Sequence, residues 1–362
     1  MPNAQITGWG KCLPPAVLSN DDLAAIMDTS DEWIVERTGI HERRISHVNT
    51  SELGLVAARH ALAAAGCDAN DIGLIIFASA SPDLLIPNTA SRLQERLGNK
   101  QAAAFDLNSG CTGFVYGLKI ADDHLNNYPN SPVLLVGAER LTWYLDWTQR
   151  DSAVLFGDGA GAAVLEPGES GAGIIRSHLG CEAAAGNALM IADFGTVMNR
   201  FGPDPTRFEL CFDGREVFRH AVKGMALACK TVLEEAGLAV ADVDLVIPHQ
   251  ANERIIDSLA DRVGIDRTRV FKNIALYGNT SAATIPIGLC EALEQRLIQP
   301  GTTILMPAFG AGLTWGATVM RWGERTTPLG TSDAELPRCD STGPEMIAEA
   351  VAFFKNAGSG TS

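Results

Sequence analysis

The sequence predicts an α/β protein built from two related halves, each a sheet covered by helices. Three observations carry this. Short unbroken apolar runs alternate with longer helical patterns, and the alternation appears twice, on either side of an aperiodic middle. The chain's 36 glycines often fall beside the apolar runs, as tight strand–helix turns require. With 362 residues and 46% hydrophobic content, the chain can bury one large core or two similar ones. Its charged fraction of 20% is not that of a disordered chain.

Taken in order, Ser51-Glu-Leu-Gly opens a helix that runs to about Ala65, started by a capping-type residue and favoured by its alanines. Gly73-Leu-Ile-Ile-Phe-Ala78 has the continuous apolarity of a strand buried on both faces. Ser131-Pro-Val-Leu-Leu-Val-Gly137 and Ala153-Val-Leu-Phe156 read the same way. The second half repeats the theme. A long helix covers 214–236, Asp244-Leu-Val-Ile-Pro248 is a strand and 253–263 is helical. Thr302-Thr-Ile-Leu-Met-Pro307 is a further strand that ends in a glycine turn. Residues 187–210, including Phe201-Gly-Pro-Asp-Pro-Thr206, lack periodicity and read as an irregular connection. After Trp322 the chain turns polar and rich in Thr, Ser and Pro. Pro344 then suits the first turn of a short helix, with Ile347, Val351 and Phe354 on one face. The expected organisation is an N-terminal half over 1–170, a connecting segment over 171–213, a C-terminal half over 214–322 and an extension over 323–362. Residue-level similarity between the halves is faint.

A formal net charge of −15 repels phosphate backbones and argues against a nucleic-acid partner. The eight cysteines are scattered with no CxxC pair, which argues against a zinc ribbon or thioredoxin-like site and suits a reducing compartment. The N-terminus has neither a basic nor an apolar leader region, and no apolar run reaches bilayer-spanning length. The expectation is a cytoplasmic protein with no membrane partner.

Four segments carry candidate chemistry. Asn108-Ser-Gly-Cys-Thr-Gly-Phe114 places Cys111 after an apolar stretch and before a helical one, at a helix N-terminus that favours a thiolate. A buried structural cysteine is the other reading of this segment. Val246-Ile-Pro-His-Gln-Ala-Asn252 puts His249 directly after a strand, where α/β sites form. Tyr277-Gly-Asn-Thr-Ser-Ala-Ala283 puts Asn279 in a turn, and taken alone an ordinary turn is the simpler reading. Ala308-Phe-Gly-Ala-Gly-Leu-Thr-Trp-Gly316 has the small residues that can expose backbone N–H groups as an oxyanion hole. Phe156-Gly-Asp-Gly-Ala-Gly161 lacks phosphate-loop spacing and reads as a structural turn.

Together these segments resemble the β-ketoacyl-acyl-carrier-protein synthase III family of condensing enzymes, from Ile6 to about Trp322. Asp28-Thr-Ser-Asp-Glu-Trp-Ile-Val-Glu-Arg-Thr-Gly-Ile40 belongs to the same set. The resemblance implies a thiolase-like fold of two pseudo-duplicated halves in a layered α-β-α-β-α core, usually as a homodimer. It implies that Cys111 takes an acyl group from an acyl-CoA, and that malonyl-acyl carrier protein then loses CO2 and attacks the thioester. His249 Nε2 and Asn279 Nδ2 would hold the malonyl oxygen, and no cofactor or metal is needed. The N–H groups of Cys111 and Ala311 would form the second oxyanion hole, with alanine where the family usually has glycine. Trp33 and Arg150 match the residues that sandwich the CoA adenine, and Arg37 matches a phosphate contact. Arg219, Arg254 and Arg262 match the carrier-protein docking patch. Ile86-Pro87 stands where relatives have Phe-Pro at the acyl pocket, which leaves space for a primer longer than acetyl. The rival reading is a related condensing enzyme for medium or long acyl-CoA, such as a secondary-metabolite ketosynthase or a head-to-head acyl condensation enzyme.

Overall fold

Strand Leu74–Ala78 shows how the layers arise. Leu74 and Ile76 point into one core cluster, whereas Ile75 and Phe77 point into another, so the strand is buried on both faces. A strand of this kind must lie between two helical layers. In this computed structural model, residues 3–169, 171–192, 195–198 and 209–358 are described.

The N-terminal sheet has five strands in the order Ala4–Cys12, Gly159–Pro167, Val133–Glu139, Leu74–Ala78, Ala103–Leu107. The first pair and the second pair are antiparallel, and the other two are parallel. The second sheet runs Leu245–Val246, Thr303–Gly310, Thr314–Arg321, Gly173–Cys181. Read from its other edge, the pairing repeats the first sheet: antiparallel, antiparallel, parallel, then a parallel bridge from Val246 to Val270. The duplication is therefore visible in topology, although the residues scarcely show it.

Two helices, Gly113–Asn127 and Thr284–Glu294, lie between the sheets. Phe114, Leu118, Ile285 and Leu289 share one cluster with Ile76 and Leu135 of the first sheet and Ile304 and Met306 of the second. Helix Thr50–Ala65 covers the outer face of the first sheet, and helices Gly214–Ala236 and Glu253–Val263 cover that of the second. The result is the layered α-β-α-β-α arrangement.

Several elements differ from the expectation. Ala153–Phe156 is not a strand: Arg150–Ala153 forms one helical turn, and Phe156 makes a single bridge to Asn279. The strand of this region begins at Gly159, within the glycine-rich text read as a turn. Its glycines are needed for packing, since a Cβ on Gly161 would lie 2.7 Å from the Pro286 side chain. The segment 171–213 is not wholly irregular. Gly173–Cys181 is a nine-residue strand that completes the second sheet. A short hairpin, Leu189–Ile191 with Leu210–Phe212, also lies there, while Phe201-Gly-Pro-Asp-Pro-Thr206 falls outside the described residues. The glycine turn expected after the strand ending near Pro307 is residues 311–313, and it leads into a further strand, Thr314–Arg321, which pairs back on Thr303–Gly310.

The extension is packed rather than loose. Arg325 Nη1 donates to Thr7 O at 2.7 Å and Ala65 O at 3.0 Å, and Leu329 N donates to Ala64 O at 3.0 Å. Its helix, Gly343–Gly358, buries Ile347 and Val351 against Leu18, Leu23 and Ile34. No helix among the described residues is long and apolar enough to cross a membrane.

Candidate active site

Cys111 sits in a single 3-10 turn, Gly110–Thr112, between strand Ala103–Leu107 and helix Gly113–Asn127. The sequence forms this elbow because Gly110 adopts φ +56°, which side chains resist. The turn is buried, with Cys111 only 7% exposed. Burial pushes the Cys111 thiol up to about 12, with the Ser281 hydroxyl acting the other way. Burial therefore favours the thiol here, against the thiolate that a helix N-terminus was expected to favour.

His249 follows strand Leu245–Val246, and its backbone N–H donates to Pro307 O at 2.8 Å. Its Nδ1 lies 2.8 Å from Thr284 Oγ1. Burial lowers its pKa to about 3, so the ring is neutral at ordinary pH. Asn279 is clamped by two backbone bonds, its N–H to Leu155 O at 2.8 Å and its O from Gly157 N at 3.1 Å. Its Oδ1 accepts from Ser281 N at 2.8 Å, which commits the oxygen and leaves Nδ2 to donate.

Cys111, His249 and Asn279 line one cavity of about 830 Å³, together with Trp33, Arg37 and Arg254. Cys111 also lines a second cavity of about 990 Å³, with Ala311, Ser281, Tyr144, Leu84 and Leu85. The cysteine thus stands between two chambers. The Ala311 N–H lies beside it: a Cβ on Gly110 would fall 3.0 Å from Ala311 N, and one on Gly310 would fall 2.6 Å from Cys111 N.

Helix Asp31–Thr38 is capped by the Ser30 hydroxyl, which accepts from Trp33 N, and it ends at Gly39 with φ 76°. Trp33 and Arg37 are four residues apart and so share a face; the Arg37 guanidinium lies 4.5 Å from the indole centroid. Arg150 lies 4.4 Å from the same ring and donates to Asp28 O at 2.9 Å. A stacked base between Trp33 and Arg150 would need the guanidinium to move off the indole.

The remaining expected residues are more dispersed. Ile86 is 83% exposed and lines neither cavity in the single chain; Leu84 and Leu85 line the second one instead. Arg219 is exposed and paired with Glu216 at 2.5 Å. Arg262 is exposed at the end of helix Glu253–Val263. Arg254, at the other end, lines the first cavity with Trp33 and Arg37. Among the described residues, no group of three or more His, Cys, Asp or Glu is placed to hold a metal ion.

Residues 105–183 match the family model described as 3-oxoacyl-[acyl-carrier-protein (ACP)] synthase III, and residues 233–322 match that of its C terminal. A protein of Vibrio cholerae named beta-ketoacyl-[acyl-carrier-protein] synthase III 2 is 56% identical, over 97% of each chain. The chain belongs to the β-ketoacyl-acyl-carrier-protein synthase III family. Among solved members, the 3-oxoacyl-[acyl-carrier-protein] synthase III of Aquifex aeolicus VF5 is 42% identical with a TM-score of 0.83, covering 88% of this chain and all of its own. A priming β-ketosynthase from the R1128 polyketide biosynthetic pathway is 34% identical with a TM-score of 0.84, covering 89% of this chain and 97% of its own. The Vibrio relative spans nearly all of this chain, whereas the Aquifex family member leaves about a tenth of it uncovered.

The sequence reading missed the buried support of this family's site. Glu139, at the end of strand Val133–Glu139, is fully buried and accepts from Ser79 Oγ at 3.2 Å, Ser81 Oγ at 2.5 Å, Ala80 N at 3.1 Å and Ser281 Oγ at 2.9 Å. Burial pushes its carboxyl upward, and these donors act against that. Bonds to Glu139 and Asn279 surround Ser281, whose φ of 51° is a left-handed conformation that costs a non-glycine residue energy unless its surroundings fix it. Ser281 in turn bonds Asn279 through its N–H and Thr284 through its carbonyl. A charged residue closing an apolar strand at its C-terminal end was the available signal.

Proposed function

We propose that this condensing enzyme joins an acyl-CoA primer to malonyl-acyl carrier protein, with loss of CO2, in fatty acid biosynthesis. Cys111 attacks the primer thioester and carries the acyl group. The malonyl thioester then enters by the first cavity, and its oxygen is held by His249 Nε2 and Asn279 Nδ2 as CO2 departs. The backbone N–H groups of Cys111 and Ala311 receive the oxyanion of each tetrahedral intermediate. The observation that supports this reading is the position of Cys111 on the shared wall of two cavities, one reaching Trp33 and Arg37 and the other apolar in part. A pantetheine-borne thioester and an acyl chain need separate rooms on opposite sides of the nucleophile. The chemistry requires no resident cofactor, because departing CO2 leaves the carbanion behind. Trp33, Arg37 and Arg150 would bind the CoA, and Arg219, Arg254 and Arg262 the acidic carrier protein. The exposed Leu84, Leu85 and Ile86 would meet a second copy in a homodimer, where Ile86 can close the acyl pocket.

The second cavity, about 990 Å³, is larger than an acetyl group needs, which favours a longer primer. The reading is tested with purified protein, malonyl-acyl carrier protein and a ladder of acyl-CoAs. Expected are a mass increase matching the acyl group, lost in Cys111→Ala, and β-ketoacyl product with butyryl- to octanoyl-CoA ahead of acetyl-CoA. Acyl-enzyme persisting in Cys111→Ala would overturn the nucleophile. Acetyl-CoA far ahead of the longer primers would overturn the primer assignment.

A further inference from the structure

Thr284 opens helix Thr284–Glu294 and is 3% exposed. Its hydroxyl has two neighbours: it donates to Ser281 O at 3.0 Å and lies 2.8 Å from His249 Nδ1. A hydroxyl has one proton. Ser281 O is a carbonyl and can only accept, so when Thr284 gives that proton to Ser281 it can only accept from Nδ1. Ser281 is not free to turn away, since Glu139 holds its hydroxyl at 2.9 Å and Asn279 Oδ1 holds its N–H at 2.8 Å.

We propose that Thr284 fixes His249 in the tautomer with its proton on Nδ1, leaving Nε2 bare to take the proton of Cys111. This deepens the function proposed above and rests on its reading of Cys111 and His249. The buried Cys111 thiol needs a base, and the neutral ring of His249 lines the same cavity. Acyl transfer then balances. The S–H proton passes to Nε2, the sulfur–acyl bond forms and the acyl–CoA sulfur bond breaks. Nε2 returns the proton to the departing CoA thiolate, and Nδ1–H stays on Thr284 throughout.

The same arrangement accounts for a donor in the second half of the cycle. Condensation with loss of CO2 consumes one proton, because the thioester sulfur of Cys111 leaves as a thiolate. That proton enters on Nε2 as the malonyl carboxylate arrives, since a nearby anion favours the imidazolium. Nε2–H then donates to the malonyl oxygen and ends on Cys111. One nitrogen accepts in the first step and donates in the second, and Thr284 accepts from the other in both.

Nitrogen-15 NMR of labelled protein, with the His249 signals found by comparison with His249→Gln, reads the tautomer directly. The free protein at pH 8 is expected to show Nδ1 protonated and Nε2 bare, and the reverse assignment overturns the inference. Rapid-quench intact mass adds a rate. Thr284→Val is expected to slow acyl-enzyme formation about 10²-fold, the scale of a displaced general base, with Thr284→Ser near the native rate. Native-rate acylation by folded Thr284→Val overturns it too. A failure of the underlying reading looks different, because the native protein would then form no adduct on Cys111.

Discussion

Burial moves the pKa values of Cys111 and His249 in opposite directions, and each shift favours the neutral form. For His249 this has a consequence for stability. Its folded pKa of about 3 lies below the ordinary 6.5, so between these values the unfolded chain binds more protons than the folded one. The stabilising contribution is complete above pH 6.5 and is lost as pH falls, at up to about 1.4 kcal/mol per pH unit. Urea unfolding between pH 7 and 5 should show this slope, and His249→Gln should flatten it by up to that amount whatever its absolute stability. Cys111 and His249 were legible as candidates because each closely follows an apolar run in the sequence. Glu139, Ser281 and Thr284 were not, because their importance comes from meeting one another across 142 and 3 positions of chain.

Two glycine turns bring the N–H groups of Cys111 and Ala311, the proposed oxyanion site, together, and neither does so alone. The strand ending at Gly310 runs against the turn holding Cys111 so closely that a methyl group would sit 2.6 Å from Cys111 N. Gly310→Ala should therefore displace that N–H without removing it. A fall in kcat of about 10²-fold, with a much smaller change in the KM for acyl-CoA, is the expected result from steady-state kinetics. The sequence marked this stretch as glycine-rich, but not that it closes a strand hairpin. Thr314–Arg321 contains Gly316 and Thr318 among its apolar residues, so it lacks the unbroken apolar run by which Leu74–Ala78 was recognised.

At the scale of the whole molecule, the extension after Trp322 acts as a strap across the N-terminal half. It reaches Thr7, Ala64 and Ala65 by hydrogen bonds, and His60 Nε2 lies 3.0 Å from Ala334 O. Its helix then packs Ile347 and Val351 in the cluster that also holds Ile34 and, at its margin, Trp33. Ending the chain at residue 322 would expose this apolar surface. Two buried aliphatic side chains of this kind are worth about 3–5 kcal/mol together, so the truncated protein should unfold at markedly lower urea concentration. An unchanged midpoint would show that the strap contributes nothing. The family's matched segments stop at residue 322, which suits an addition laid over a complete core.

The sequence by itself determined the α/β alternation and the main helices, because periodicity is local, and it marked Cys111 and His249 as candidates after apolar runs, whereas Asn279 stood out only through the family resemblance. Helices 214–236 and 253–263 could be bounded from residue pattern alone for the same reason. Tertiary structure decided what depends on distant segments meeting. It set the repeated strand order of the two halves and placed Gly173–Cys181 in the second sheet. It also moved Arg254 to the wall of the first cavity and left Ile86 outside the single-chain pocket. It also set the direction in which the pKa values of Cys111 and His249 move, since desolvation depends on what closes around a side chain and not on its neighbours in sequence.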